Sequence, residues 1–388
     1  MKGDTVASTR DGAKKVLILY NRVDSVAKGE TRDLISAQGV TVAAGAVEKA
    51  LRSKYEVVCV PVSFDLPEVL SDYDPGEWLV FNLLEGLGNR AELEPEAAAI
   101  LERLGYRYTG SPPETLALCL DKAQTKRVLE SNGILTPAYQ VCDDRKIEVS
   151  IPLPAFVKPV AEDASLGIDD EAVVTSYEQL CKRVEYLLDT YREPALVEEF
   201  IEGRESNVAL WGNDRPECLP LAEIDYSGIT DPLRRICSYA AKWEPEGDEY
   251  RLTPVICPAK VDGRLAKRIR ESAIAAYKAL GCRGYARVDM RVRDGRPYVL
   301  EVNPNPDLSP DAGFARAALA AGYSYPEMVE RILHWAGGPL STPTTLPALK
   351  VAKFDAFIST KAVTAHLPAD GGGSFSSARE KSRNPSSK

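Results

Sequence analysis

Apolar positions along the chain follow two rhythms in alternation. KKVLILY (Lys14–Tyr20) is a continuous apolar run of the kind found in buried parallel strands. Tyr55–Val62 is a second such run, Trp78–Leu84 (WLVFNLL) a third and Gly105–Thr109 a short fourth. Between them, Thr41–Ser53 and Pro95–Leu104 carry helical spacing, with Val42, Ala46, Val47 and Ala50 as the apolar stripe of the first. The polar stretch through Gly39 spans 19 residues, long for a strand-to-helix link and therefore a candidate functional loop. The alternation predicts a small open α/β unit whose strand ends offer a ligand site.

Beyond Gly110 the rhythm changes. Glu114–Asn132 reads as one helix, PAFVKPV as a strand, Ser176–Tyr191 as a helix, and Ala195–Phe200 and Ser206–Trp211 as strands flanking a turn. Little pattern marks the polar stretch to Asp248, so Lys242 and Trp243 fall in a segment of low expected order. Leu265–Leu280 is an amphipathic helix, and two more helices follow at Asp311–Gly322 and Tyr325–Trp335. The first 14 residues read as loose; from Ser341 the tail holds seven Lys/Arg against three Asp/Glu, with Val351–Phe357 able to pack and disorder expected after Pro368.

The densest chemistry lies in GYARVDMRVRDGRPYVLEVNPNPD, Gly284–Asp307. Ala286–Val292 and Tyr298–Val302 flank Asp294-Gly295, a hairpin signal. Residues two apart share a strand face, so Arg287 pairs with Asp289 and Glu301 with Asn303. An antiparallel hairpin can gather Asp289, Glu301 and Asn303, three hard oxygen donors suited to Mg2+ carrying phosphates rather than to zinc. Arg287 beside them would stabilise charge on a transferring group. The plainer reading is a solvated hairpin face; the stiff Asn-Pro-Asn-Pro directly after the strand favours a ligand site.

Composition narrows the choice. A chain of 388 residues can form two or three domains, and 44% hydrophobic with 27% charged residues is ordinary for a soluble protein. A net charge of −9 argues against nonspecific nucleic-acid binding. Eight scattered cysteines with no CxxC pair read as reduced thiols in a cytoplasmic protein. With His334 and His366 alone, both outside every cluster, histidine-based zinc chemistry and a Ser-His-Asp triad are excluded. No apolar run spans a bilayer, and no signal-peptide core is visible.

Two lysine positions stand out earlier in the chain. Lys158 sits inside an apolar strand, where an ammonium needs an anionic partner unless it snorkels from an edge. AEDASLGID after it is a loop able to offer backbone N–H groups to phosphate, although it lacks the glycines of a P-loop. Lys122 and Lys126, four apart on a helix, can touch one anion; solvated surface lysines are the default.

In this order, DKAQTK, FVKP, EDASLG, VEEFIEGRE, AAKW, ARVD and LEVNPNP, preceded by FNLLEG and YTGSPPETLALCLDKAQTK, resemble the ATP-grasp ligases, specifically the D-alanine–D-alanine ligase-like branch. The resemblance covers residues 14 to about 337. It implies a mixed α/β and α+β architecture: an N-terminal open α/β domain (14–120), a central lid domain (121–215), a C-terminal catalytic domain (216–340) and a tail (341–388). It also implies an enzyme that phosphorylates a carboxylate with ATP and lets an amine attack the acylphosphate. In that scheme Lys122 and Lys158 hold ATP phosphates, and Ser165, Leu166 and Gly167 close over them. Glu198 meets the adenine amino group, Glu199 and Ile201 offer backbone groups to the ring, Glu205 takes the ribose hydroxyls and Lys242 reaches the γ-phosphate. Asp289, Glu301 and Asn303 hold two Mg2+ (Mn2+ being a substitute), and Arg287 stabilises the intermediates. A homodimer is implied by the resemblance alone.

The departures bear on substrate. Ala164 stands where the branch has a serine, Trp243 where it has a tyrosine, and NRVDSVAKGETRDLISAQ replaces a glycine-rich loop with an amine-binding glutamate. Gln38 falls near that glutamate, with Glu30 and Asp33 as substitutes; Ala312-Gly313 replaces the Ser-Leu pair that meets the second carboxylate, and Asp163 adds a carboxylate to the phosphate loop. The expectation is a carboxylate–amine ligase joining small amino-acid-like substrates, outside cell-wall synthesis. The alternatives are a D-alanine–D-alanine ligase with a rebuilt pocket and a non-catalytic ATP-binding regulatory or scaffold protein.

Overall fold

The structure is a computed structural model that describes residues 15–145 and 147–336. The expectations for the first 14 residues and for the tail from Ser341 fall outside that range.

Four parallel strands open the chain: β1 (Lys15–Asn21), β2 (Glu56–Val62), β3 (Trp78–Leu83) and β4 (Arg107–Tyr108), in the order β2-β1-β3-β4. Val16 to Leu19 are fully buried because both faces of this sheet are covered. One face meets α1 (Leu34–Leu51) and the other α2 (Leu66–Leu70) and α3 (Glu94–Arg103). Helix α1 begins seven residues before the predicted Thr41, so the 19-residue loop shrinks to about half. Its buried stripe is Val40, Ala43, Ala44, Val47 and Ala50, whereas Val42, predicted to lie inside, is 61% exposed. Val42 and Ile35 instead turn toward a large cleft.

The predicted single helix Glu114–Asn132 is two, α4 (Pro113–Leu120) and α5 (Lys122–Ser131). Asp121 breaks it, because its extended backbone (ψ 96°) lets its side chain accept from Gln124 N and cap the second helix. The break also lets Lys122 N donate to Val160 O at 3.1 Å, which docks α5 on the next sheet.

That sheet is antiparallel, β5 (Tyr139–Cys142), β6 (Ala155–Pro159), β7 (Val173–Val174) and β8 (Ala195–Glu199), in the order β5-β8-β6-β7. Helix α6 (Tyr177–Thr190) covers one face, opened by a capping box between Ser176 and Gln179.

The third sheet holds β9 (Arg204–Trp211), β10 (Glu217–Cys218), β11 (Ala222–Ile224), β12 (Val255–Ile256), β13 (Tyr285–Arg293) and β14 (Arg296–Asn303). Strand β9, which the sequence reading grouped with the central segment, pairs with β13 along eight residues. Gly203 permits that approach: a Cβ there would fall 2.0 Å from Val292 O. Lys242 and Trp243, expected in a poorly ordered segment, end the short helix α7 (Tyr239–Trp243), which Ser238 caps through Ala241 N. It is followed by α8 (Asp248–Leu252), α9 (Gly263–Ala279), α10 (Gly313–Ala320) and α11 (Tyr325–Ala336). Ile269, Ala273 and Ala276 of α9 pack on Val288, Met290 and Val292, the apolar alternate positions of β13. Burying such side chains stabilises the sheet by about 1.5–3 kcal/mol each for the larger ones. The other alternate positions, Arg287, Asp289 and Arg291, are thereby presented to the cleft.

Candidate active site

A cleft of about 990 Å3 is lined by residues of the two antiparallel sheets, α1 and α7. The hairpin supplies its most charged wall. Asp294 (φ 52°) and Gly295 (φ 67°) both take left-handed backbone, the two-residue turn that matches strand twist. The register then sets Asp289 directly opposite Glu301, and Arg287 opposite Asn303, on one face. Arg287 grips Asp289 with Nε at 2.8 Å and Nη2 at 2.7 Å, while Asn207 Nδ2 and Asn303 Nδ2 donate to the same carboxylate at 2.7 and 3.1 Å.

Glu301 has a different environment. Burial works against its charge, but Lys158, Lys122, Arg287 and Lys242 outweigh it and hold the carboxyl at about 2. Lys158 is buried as expected and bridges two acids, with Nζ 3.6 Å from Glu301 Oε2 and 3.4 Å from Glu198 Oε2.

Lys126 is the main correction to the lysine readings. It is fully buried rather than solvated, 2.6 Å from Glu198 Oε1, and donates to Thr136 Oγ1 at 2.7 Å. Desolvation lowers its pKa against the pull of Glu198. Lys122 is buried too; its ammonium donates to Glu162 O and lies 3.4 Å from Asp163 Oδ1. Asp163, flagged as an extra carboxylate, therefore faces a lysine. Glu198 stays ionised despite burial because two ammonium groups flank it.

At the far end, three bonds converge on Glu205 Oε2: Arg291 Nε at 2.9 Å, Arg291 Nη2 at 2.7 Å and Tyr226 OH at 2.9 Å. The Arg291 guanidinium also lies over the rings of Phe200 and Tyr226, and Nη1 donates to Ile201 O at 3.5 Å. Glu199 Oε1 meets Arg293 Nη1 at 2.7 Å.

The loop after β6 lies against α7. Ala164 (φ 54°) and Ser165 (φ 62°) are consecutive left-handed non-glycine residues, a strained pair held from several sides. Trp243 Nε1 donates to Ala164 O at 2.9 Å, Ser165 Oγ donates to Cys237 O at 3.0 Å, and Tyr239 N donates to Ile168 O at 2.8 Å. Arg183, buried and 2.8 Å from Asp169, donates to Gly167 O. Gly167 has no room for a side chain, since a Cβ would fall 2.8 Å from Pro159 Cγ. Lys242 stands beside the loop with its ammonium over the Trp243 ring.

Glu30 and Asp33, offered above as substitutes for the amine-binding glutamate, are engaged otherwise. Glu30 takes Arg32 Nε at 2.5 Å and Tyr186 OH at 2.8 Å. Asp33 Oδ2 accepts from Glu30 N at 2.8 Å and Tyr191 OH at 3.2 Å. All eight cysteines are free, and no helix among the described residues is long and apolar enough to cross a membrane.

Among the described residues no three His, Cys, Asp or Glu side chains gather at metal-binding separation. Two opposed carboxylates with an amide, open to a cleft and ringed by lysines, are an incomplete cage. That suits Mg2+, which keeps waters and completes its shell with phosphate oxygens.

Sequence reasoning missed Arg291, Tyr226 and Asn207, and took Lys126 as solvated by default. Arg291 was legible as the next alternate residue of β13 after Arg287 and Asp289; Lys126 was not, because its partner lies 72 positions away.

Two antiparallel sheets clasping a cleft floored by opposed carboxylates and walled by buried lysines define an ATP-grasp ligase fold. The chain belongs to the D-alanine–D-alanine ligase family: the sequence model described as D-ala D-ala ligase C-terminus matches residues 129–334. It is 32% identical over 291 residues to the D-alanine–D-alanine ligase of Desulforamulus reducens, covering 72% of this chain and 86% of that protein. It is 37% identical over 258 residues to the uncharacterized protein y4sG of Sinorhizobium fredii, covering 66% and 73%. The fold matches the crystal structure of a Bacillus anthracis D-alanine–D-alanine ligase complexed with ATP, with a TM-score of 0.66, 24% identity and coverage of 84% and 97%. Membership makes the chain a ligase of ATP-grasp type.

Proposed function

We propose that the protein is an ATP-dependent ligase of the D-alanine–D-alanine type with a rebuilt amino-acid pocket. The observation that carries this reading is the pairing of Asp289 with Glu301 beside Arg287 and Lys158. Bound Mg2+·ATP would supply the phosphoryl group that turns a substrate carboxylate into an electrophile. Asp289, Glu301 and Asn303 would hold the metal, for which Asp289 gives up one of its present donors. Lys122, Lys158 and Lys242 would balance phosphate charge, and the Ser165–Gly167 loop would cover it. Glu205, with one oxygen fixed by Arg291 and Tyr226, keeps the other for ribose, while Glu198, Glu199 and Ile201 border the base. Arg287 would face the oxyanion that develops during attack. The three sheets would serve as substrate, lid and catalytic domains.

A second reading, a ligase for other small amino acids, is supported by the pocket itself. At the junction of loop and α7, a bond from Trp243 Nε1 to the Ala164 carbonyl stands where the branch carries a serine and a tyrosine. The test is phosphate release with ATP and Mg2+, supplying D-alanine alone and then pairs from a panel of amino and carboxylic acids, with mass spectrometry of products. Rapid release with D-alanine alone and a D-alanyl-D-alanine product supports the first reading. Release only with another pair supports the second. Silence across the panel with intact ATP binding would leave neither.

A further inference from the structure

Beside the cleft lies a cavity of about 190 Å3, at the carboxyl ends of β1 and β3. Lys242, Arg287, Asn303 and Asp307 line both spaces, so a molecule in the cavity faces the reactive wall. The cavity carries both signs of charge, but most of its cations already have partners. Lys28 Nζ lies 2.8 Å from Glu162 Oε1 and also meets Glu193, while Arg90 Nε lies 2.8 Å from Glu92. Arg287 is engaged by Asp289, and Lys242 lies over Trp243.

Its carboxylates are less well matched. Among the described residues Glu85, just past β3, makes no side-chain hydrogen bond or ion pair. Glu94 accepts one bond, from Asn305 Nδ2 at 2.9 Å, and Asp307 one, from Ser309 N at 2.8 Å. Asp33 lines the same cavity, is 3% exposed and keeps Oδ1 buried without a partner. Nor can the loop carry Glu85 elsewhere easily. Gly86 (φ 143°) is packed so closely that a Cβ would lie 2.3 Å from Arg90 O. Glu85 is exposed to the cavity, with protein around it at longer range. Desolvation and Asp307 raise its pKa to about 8 against the opposing charge of Lys242, and desolvation raises Glu94 to about 8.

We propose that Glu85 receives the protonated amino group of the amino-acid substrate, with Asp307 adding negative charge beside it. The ligand class is a primary ammonium carried by a small amino acid. This rests on the ligase reading above. It moves the amine-recognising acid from the loop after β1, where Glu30 and Asp33 are otherwise engaged, to the end of β3. A charge-assisted bond between ammonium and carboxylate is the contact that Glu85, exposed to the cavity and without a side-chain hydrogen bond or ion pair among the described residues, lacks.

The test separates binding from turnover. The full-length protein is mixed with Mg2+ and a non-hydrolysable ATP analogue, and thermal stabilisation is recorded with D- and L-amino acids and with the 2-hydroxy acids of the same skeleton. Wild type is expected to be stabilised by at least one amino acid and not by its hydroxy counterpart. Glu85→Gln is expected to weaken that amino acid ~10- to 100-fold while leaving the analogue's own affinity unchanged. Glu85→Asp should recover part of the loss. Equal response of amino and hydroxy acids, unchanged amino-acid affinity in E85Q, or no stabilising amino acid would each overturn the proposal. Amino-acid binding that depends on Glu85 without phosphate release would instead count against the ligase reading alone.

Discussion

The nucleotide end of the cleft and the neighbouring cavity treat charge in opposite ways. At the nucleotide end nearly every buried ion is matched before any ligand arrives: Lys126 with Glu198, Lys158 with Glu198 and Glu301, Arg291 with Glu205. In the cavity Glu85, Glu94 and Asp307 stand together with little compensation. The first region is a largely preorganised field, in which Asp289 releases one donor when Mg2+ and a polyanion arrive. The second is a set of acids that desolvation keeps largely protonated at neutral pH and that an entering cation would ionise, which is why substrate amine recognition is assigned there.

The sharpest way to break this contrast is to remove charge from the matched end. Glu301→Gln should lower the rate of phosphate release ~10^3-fold, measured at saturating ATP, because it removes a metal ligand while keeping shape. Lys126→Met strands Glu198 with a single partner and should cost roughly 3 kcal/mol in urea unfolding. Arg291→Met frees Glu205 from its fork and should raise KM for ATP ~10-fold with kcat little changed.

The smallest effect sharpens the comparison through pH. Glu301, held at about 2, lies below its usual 4.5. It contributes stability that is full above pH ~4.5 and is lost as pH falls through that window. Glu85 and Glu94, raised to about 8, act the other way. Between pH 4.5 and 8 the folded form holds protons that the unfolded form has released, so stability falls as pH rises. E85Q should therefore match wild type near pH 4.5 and melt ~1–2 °C higher at pH 8.5, by scanning calorimetry without ligand. A lower melting point at pH 8.5 would mean that the cavity tolerates its charge.

What was readable in the sequence was what the chain settles locally. The hairpin was legible because its turn and its alternation sit in one contiguous stretch, and Lys158 because an ammonium within an apolar strand demands an anion. The break at Asp121 was hidden by helical periodicity on both sides, and only the cap at Gln124 reveals it. Lys126 looked like surface, since its burial depends on Glu198 in another strand. Glu85 was visible as part of FNLLEG at a strand end, but nothing in that motif gave it a role. Its meaning comes from Glu94, Asp307 and Asp33, which converge only in three dimensions.

The most direct measurement is a Mg2+ titration of ATP-dependent phosphate release, comparing wild type with E301Q on the best substrate pair. The account predicts wild-type release that rises with Mg2+ and vanishes on chelation, with E301Q near baseline at every concentration. Release by E301Q at the wild-type rate and with the same Mg2+ dependence would contradict it.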